Sequence, residues 1–283
     1  MERVTFISGT GRSISLTYGA PQCALLSITG LSALDIAPVT AKGYGQHGAT
    51  LETTQLGPRQ LRLLFSLQAA SPDLLYQARD ELTAIFSPLA GTGRLTYEND
   101  WVKRVIDAAV TLAPTETDVR GLYRIFEVEL TAYDPLWRDP TETGVRIQDF
   151  VGGLVFPIKF DSTIRFAARG QQKVVNIRGS MAAPVRIVFL GGCVNPKVSL
   201  DTGEFIQIEA EIAESERIEI DTAYGRRSVD RIAADGTRAS VVHLMTDDST
   251  MFELQPGRHT VSFAADSGTP EVLLYWSNRY IGV

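Results

Sequence analysis

A mainly β fold in two domains is what the sequence predicts: a β-rich α+β domain with one helix over residues 1–142, then a β-sandwich over residues 143–283. Three observations carry that prediction. Apolar and polar residues alternate with period two at several places in the first part. One segment there has helical spacing instead. Beyond residue 150 the chain reads as short strands separated by dense turn punctuation.

The alternation is clearest at Leu61, Leu63, Phe65 and Leu67, set against Arg62, Leu64, Ser66 and Gln68. Phe126, Val128, Leu130 and Ala132 alternate likewise with Glu127, Glu129 and Thr131. Each run turns one apolar face to a core. Glu98-Asn99-Asp100-Trp101 separates two β-like runs and predicts a hairpin. The helical segment opens at Ser71-Pro72-Asp73: a capping serine, a proline suited to the first turn, and an acid at the positive helix end. Leu74, Leu75, Ala78, Leu82, Ile85 and Phe86 then recur at helical spacing, with Arg79, Asp80 and Glu81 outward, until Pro88 and Gly91 stop the helix. Asp134-Pro135-Leu136-Trp137-Arg138-Asp139-Pro140 closes this part. Its prolines, with Gly144, interrupt any ladder and place the domain boundary near 140–150.

Strand candidates in the second part are 154–160, 173–178, 185–190, 205–210, 218–221, 240–245, 260–264 and 272–276. Between them stand turns such as Gly191-Gly192, Asn195-Pro196, Thr202-Gly203, Asp235-Gly236 and Pro256-Gly257. Short strands with such spacing predict a sandwich or jelly roll, and no amphipathic helix of useful length comes after residue 90.

The 283 residues are enough for two domains, and 44% hydrophobic with 21% charged residues is an ordinary globular composition. With 27 Lys+Arg against 33 Asp+Glu, the net charge of -6 argues against sequence-independent nucleic-acid binding. No apolar stretch approaches the ~18–20 residues that span a bilayer, and Glu2-Arg3 leads into a mixed run without a signal core. Two cysteines, Cys23 and Cys193, make no disulfide framework and point to synthesis in a reducing compartment.

The sequence offers no catalytic, cofactor-binding or metal residues. Gly43-Tyr44-Gly45-Gln46-His47-Gly48 spells G-x-G-x-x-G, but the adjoining Ala49-Thr50-Leu51-Glu52-Thr53-Thr54 has no helical periodicity, so a flexible loop fits better than a dinucleotide site. His47, His243 and His259 match no zinc spacing. Cys23 lacks a basic neighbour, and Cys193 after Gly191-Gly192 reads as a packed residue rather than a nucleophile. Glu209, Glu211, Glu214, Glu216, Glu219 and Asp221 crowd one stretch, which on a sandwich raises glycoside hydrolysis. Glu209 and Glu211 instead alternate with Ile208, Ala210 and Ile212, and Glu219 sits between Ile218 and Ile220, as on a solvated strand face. Asp247-Asp248 is two acids without further oxygen ligands. Tyr275, Trp276, Tyr280, Trp101 and Trp137 could stack on sugar or belong to a core.

The order of short motifs along the chain resembles the distal tail proteins (Dit) of long-tailed siphophages and prophages. In the first part it runs Gly57-Pro58-Arg59-Gln60-Leu61-Arg62-Leu63, Ser71-Pro72-Asp73-Leu74-Leu75, Arg79-Asp80-Glu81-Leu82, Ser87-Pro88-Leu89, Gly93-Arg94-Leu95-Thr96-Tyr97 and Tyr133-Asp134-Pro135-Leu136-Trp137. In the second it runs Gly179, Pro184-Val185-Arg186-Ile187, Gly191-Gly192-Cys193-Val194-Asn195-Pro196, Thr202-Gly203-Glu204, Ile220-Asp221-Thr222, Tyr224-Gly225, Pro256-Gly257 and Tyr280-Ile281-Gly282-Val283. No long inserted sugar-binding module is present, unlike in elaborated relatives.

The resemblance implies a galectin-like C-terminal sandwich and a non-enzymatic structural role without cofactors. Copies of the N-terminal domain are expected to form a homo-hexameric ring at the virion tail tip, after synthesis in the bacterial host cytoplasm. The ring joins the tail tube protein to the tail-associated hub protein and, in some relatives, anchors receptor-binding proteins. Neither sequence-specific nucleic-acid binding nor membrane insertion is expected. A ring also offers edge strands a neighbour to pair with. The competing readings are a carbohydrate-binding module acting through the sandwich and, third, a glycosidase.

Overall fold

Val4, Phe6, Leu16, Leu61, Leu63, Phe65, Val128 and Leu130 all lose their surface to a common core, and the strands that carry them wrap around it. The computed structural model describes residues 2–148, 171–268 and 271–283. It divides into two compact units, Met1–Pro140 with Arg279–Val283, and Thr141–Asn278. The 154–160 strand candidate lies outside the described residues.

The first unit runs β1 (Arg3–Ile7), β2 (Ser13–Tyr18), β3 (Cys23–Thr29), β4 (Ile36–Ala41), β5 (Thr50–Leu56), β6 (Arg59–Gln68), α1 (Pro72–Ile85), β7 (Thr92–Glu98), β8 (Lys103–Arg120), β9 (Tyr123–Ala132) and β10 (Trp137–Arg138). Strand pairing proceeds β8-β7-β1-β2-β3-β6-β9 and returns from β9 to β8, so seven strands close on themselves. Among the described residues, only β2 and β3 pair in parallel. The 18-residue β8 permits this closure: its first part pairs with β7 up to Ala109, and from Ala109 onward it pairs with β9. Closure inside one chain removes the edges of these strands, so a ring is not needed to satisfy them. The expected 97–102 hairpin is present, with Glu98 opposite Lys103.

Helix α1 begins as the sequence indicates. The Ser71 side chain accepts a hydrogen bond from the Leu74 amide, with Pro72 in the first turn. Leu75, Leu82 and Ile85 are buried, each contributing roughly 1.5–3 kcal/mol. Phe86, just past the helix, stacks on Phe6 at 5.1 Å and lies 6.1 Å from Phe65, which continues to Phe126 at 5.8 Å. Leu74 departs from expectation. It is 51% exposed, because the helix buries a narrower stripe than its apolar residues span.

The chain's last strand, β25 (Arg279–Tyr280), pairs with β10 through Trp137–Tyr280 and Arg138–Arg279, and so belongs to the first unit. Among the described residues, strands β4 and β5 pair only with each other, as a two-stranded arm outside the closed ladder.

The second unit comprises β11 (Thr143–Gln148), β12 (Gln171–Ile177), β13 (Ala183–Leu190), β14 (Cys193–Val194), β15 (Lys197–Leu200), β16 (Phe205–Gln207), β17 (Glu211–Ile212), β18 (Arg217–Asp221), β19 (Ser228–Ile232), β20 (Arg238–Ser240), β21 (Glu253–Leu254), β22 (Gly257–Ala264), β23 (Ser267–Gly268) and β24 (Glu271–Trp276). One sheet runs β11-β24-β13-β18-β19-β20 and the other β12-β22-β15-β16. Phe189 of the first packs on Phe263 of the second at 6.0 Å within a shared apolar core, which makes the unit a sandwich.

Two local expectations need correction. Gly144 does not interrupt a ladder. It lies in β11 opposite Tyr275, and a Cβ there would sit 2.8 Å from the tyrosine ring, so the glycine makes room for the aromatic residue. The 240–245 candidate is not a strand: β20 ends at Ser240 and Val242–Leu244 forms a single 3-10 turn. Only Val241 in that stretch is buried, so the apolar run has no second strand face to fill.

Candidate interaction surface

The arm is the part of the first unit least explained by its core. Ile36 and Leu51 are 60% and 59% exposed, and Tyr44 at the tip is fully exposed. The G-x-G-x-x-G motif lies in this tip, between two antiparallel strands and not before a helix. The Gly43 amide is already bonded to the Gln46 side chain at 2.9 Å, and that side chain donates to Thr50 at 3.0 Å. The glycines serve a turn that ties its own polar groups, and no helix end is available for a pyrophosphate.

The root of the arm is held from inside. Arg59, at the start of β6, is fully buried. Its Nη1 donates to the carbonyls of Gly30, Leu31 and Ala33 at 2.6, 2.9 and 3.1 Å, and its Nε to Pro135 at 2.7 Å. Its Nη2 donates to the Ile281 carbonyl. Burial lowers the Arg59 pKa, yet a guanidinium keeps its proton at neutral pH. One planar donor fork thus joins the β3–β4 connection, the β9–β10 connection and the C-terminal segment. Trp137 Nε1 adds a bond to Leu31 at 3.0 Å, and Arg104 donates to the Gly282 carbonyl. Gly30 must be glycine: its φ is +85°, and a Cβ would fall 1.9 Å from the Gln60 carbonyl. The Gly57 amide closes the root on Asp35 at 2.8 Å.

Leu74 and Tyr76 of α1 and Val119 of β8 are all exposed. Arg79 lies 5.6 Å from the Tyr76 ring and pairs with Glu116 at 3.0 Å, which ties the middle of the helix to β8. Trp101, 87% exposed, stands on the β7–β8 turn, where the Asn99 side chain accepts from the Trp101 and Val102 amides at 2.9 and 2.8 Å.

The remaining sequence candidates do not converge. His47 and His243 are exposed, and His259 is buried beside the Gln255 carbonyl at 2.8 Å, with Asp201 at 3.5 Å. Among the described residues no three His, Cys, Asp or Glu side chains could hold a metal ion, and Asp247 and Asp248 point to solvent. Burial pushes the Cys23 and Cys193 thiols each up to about 11, far from a reactive thiolate. Glu209, Glu211 and Glu214 are exposed; Glu216 pairs with Arg231 at 3.4 Å, and Glu219 with Arg217 and Arg238 at 2.9 and 2.6 Å. Glu211 and Glu219 are outward positions of strands whose isoleucines are buried, and Glu209, Glu214 and Glu216 lie in the connections. Of the aromatic residues, Trp137 and Trp276 are core. Tyr280 carries Arg104 at 3.7 Å, and Tyr275 lies against Gly144 with Arg186 4.2 Å over its ring. Sequence reasoning missed Arg59 and the arm. The one available signal was a charged residue at the head of an otherwise apolar alternation.

Two domain families match the sequence. Residues 25–132 match the phage tail protein RIFT-related domain, and residues 178–280 match the C-terminal domain of the siphovirus-type tail component. No curated protein matches it. Among solved structures, the crystal structure of Dit from phage SPP1 aligns over 98% of both chains at TM-score 0.68 and 14% identity. A chain of the phage P2 baseplate in its activated, Ca-bound conformation aligns over 100% of both chains at TM-score 0.56 and 11% identity. The strontium form of that baseplate gives TM-score 0.54. At these identities the structural likeness shows the fold. A closed β unit with one covering helix, then a sandwich, each matched by a tail family in this order, defines a structural component of a phage tail. The chain belongs to the siphophage distal tail (Dit) family.

Proposed function

We propose that six copies of this chain form a ring at the tail tip, through their first units, and that the ring connects the tail tube to the hub and baseplate. The role is mechanical and not enzymatic. The observation that carries it is the end-to-end correspondence with SPP1 Dit, described as a paradigm of hub adsorption apparatus in phages infecting Gram-positive bacteria. Correspondence with a baseplate chain supports the same location and partners among tail and baseplate proteins. Exposed apolar residues on the arm of the first unit, Ile36, Tyr44 and Leu51, offer surface of the kind that assembly requires. The net charge of -6 suits a conduit that DNA passes without adhering. The sandwich decorates the ring; with Tyr275 and Tyr280 already under arginines, glycan binding has no support from these aromatic residues.

The test is mass measurement in solution with negative-stain imaging. The expected result is a species of six times the 31.0 kDa chain with six-fold end views and an open centre. A chain that remains at 31.0 kDa at all concentrations, alone and with its tube protein, overturns the reading.

A further inference from the structure

We propose that residues Arg279–Val283 are a latch on the β4–β5 arm, kept seated by their tether to the second unit. Seated, they fix the base of the arm; severed from that unit they leave, and the arm loosens while the seven closed strands stay intact. The inference concerns a single chain and holds whether or not the ring forms.

The latch lies against the group that orients the arm. Arg59 holds the Gly30, Leu31 and Ala33 carbonyls at the arm's base, and its Nη2 donates to the Ile281 carbonyl. Arg104 donates to the Gly282 carbonyl, and its guanidinium lies 3.7 Å over the Tyr280 ring. Gly282 fits closely against the β3–β4 connection: a Cβ there would lie 2.9 Å from the Ser32 Oγ. Ile281 thus meets the arginine that holds the base, and Gly282 meets the base itself. With the latch seated, Arg59 is fully buried. Without it, water reaches the guanidinium and competes for the donors that hold the three carbonyls.

The latch is short and shallow. β25 has two residues and, among the described residues, pairs only with β10, outside the seven-strand closure. Tyr280, Gly282 and Val283 are half-buried and Ile281 is exposed, whereas Trp137, opposite Tyr280, is fully buried. A segment of this size binds weakly as a free peptide and stays seated because a tether keeps its local concentration high. Here the tether is minimal. Asn278 is fixed within the second unit, where its side chain accepts from the Arg178 amide at 3.0 Å. Arg279 is already bonded within the first unit, to Asp134. One peptide bond separates the two anchors, so a pull on the second unit reaches the latch directly.

The test severs the latch in the folded full chain. A flexible Gly-Ser linker with an engineered protease site is inserted between Asn278 and Arg279, and amide hydrogen exchange is followed by mass spectrometry before and after cleavage and dilution. The uncut chain is the reference. After cleavage the peptide is expected to dissociate. Amides of residues 36–57, that of Gly57 on the Asp35 carbonyl included, are then expected to exchange at least ~10-fold faster, while β1, β7 and β9 keep their protection. A second variant adds Ser32→Cys/Gly282→Cys to the linker chain, in a Cys23→Ala/Cys193→Ala background. The Cβ separation of 3.2 Å is close to the roughly 3.5–4.5 Å of a disulfide. Oxidised, this chain is expected to keep its arm protected after cleavage and to lose that protection on reduction. A peptide that stays bound after cleavage and dilution overturns the tether. Unchanged arm exchange once the peptide has left overturns the latch, as does loss of protection throughout the first unit, or an arm that loosens on cleavage although the disulfide holds.

Discussion

Arg59 and Trp137 donate to one acceptor, the carbonyl of Leu31, at 2.9 and 3.0 Å. The guanidinium also lies 6.0 Å from the indole ring. Strands far apart in sequence thus share one backbone oxygen at the root of the arm. A buried arginine stabilises only when its donors are all met, and here carbonyls from three chain segments meet them.

Replacing that fork removes charge-assisted hydrogen bonds to five part-buried carbonyls, those of Gly30, Leu31, Ala33, Pro135 and Ile281, each worth up to about 1.5–3 kcal/mol. Arg59→Leu is expected to lower the stability of the first unit by at least ~3 kcal/mol. Arg59→Lys is expected to recover less than half of it, because an ammonium cannot span the fork. Urea unfolding followed by tryptophan fluorescence measures both. A loss below ~1 kcal/mol for the leucine variant would refute the clamp.

Gly30 and Gly48 both have positive φ, but only Gly30 is crowded. Gly48→Ala is expected to cost about 1–2 kcal/mol, from left-handed backbone alone. Gly30→Ala also drives a methyl against the Gln60 carbonyl and is expected to cost clearly more. Equal thermal midpoints for the two variants would show that the β3–β4 connection gives way freely.

Asp107 supplies a pH test. Burial raises its pKa, but hydrogen bonds and charge from Arg138, then Arg94, outweigh burial and hold it below the ordinary 3.8. A depressed carboxylate contributes stability that is present above 3.8 and is lost as pH falls through the lower folded value. Below about pH 4 the first unit is therefore expected to lose stability, and Asp107→Asn to flatten that fall. Parallel acid titrations of wild type and variant would exclude this contribution.

Much of the fold is visible in the residues. Ser71, Pro72 and the leucines after them announce α1, because a cap and its periodicity are local. The β6 and β9 alternations are equally plain, because each strand has one dry face. The arm strands are invisible for the converse reason: neither face is buried, so nothing enforces a period of two. The short strands β14, β17, β21 and β23 contain two residues each and leave no pattern.

Sequence alone determined that this protein is mainly β, that one capped helix interrupts the strands, and that a turn-rich second part comes after it, since all three depend on neighbours within a few residues. Tertiary structure alone decided that seven strands close on themselves, that Arg59 is interior, and that the final residues return to the first unit. Those outcomes depend on which distant backbone groups meet, and hydrogen-bond partners of that kind leave no periodic trace along a chain.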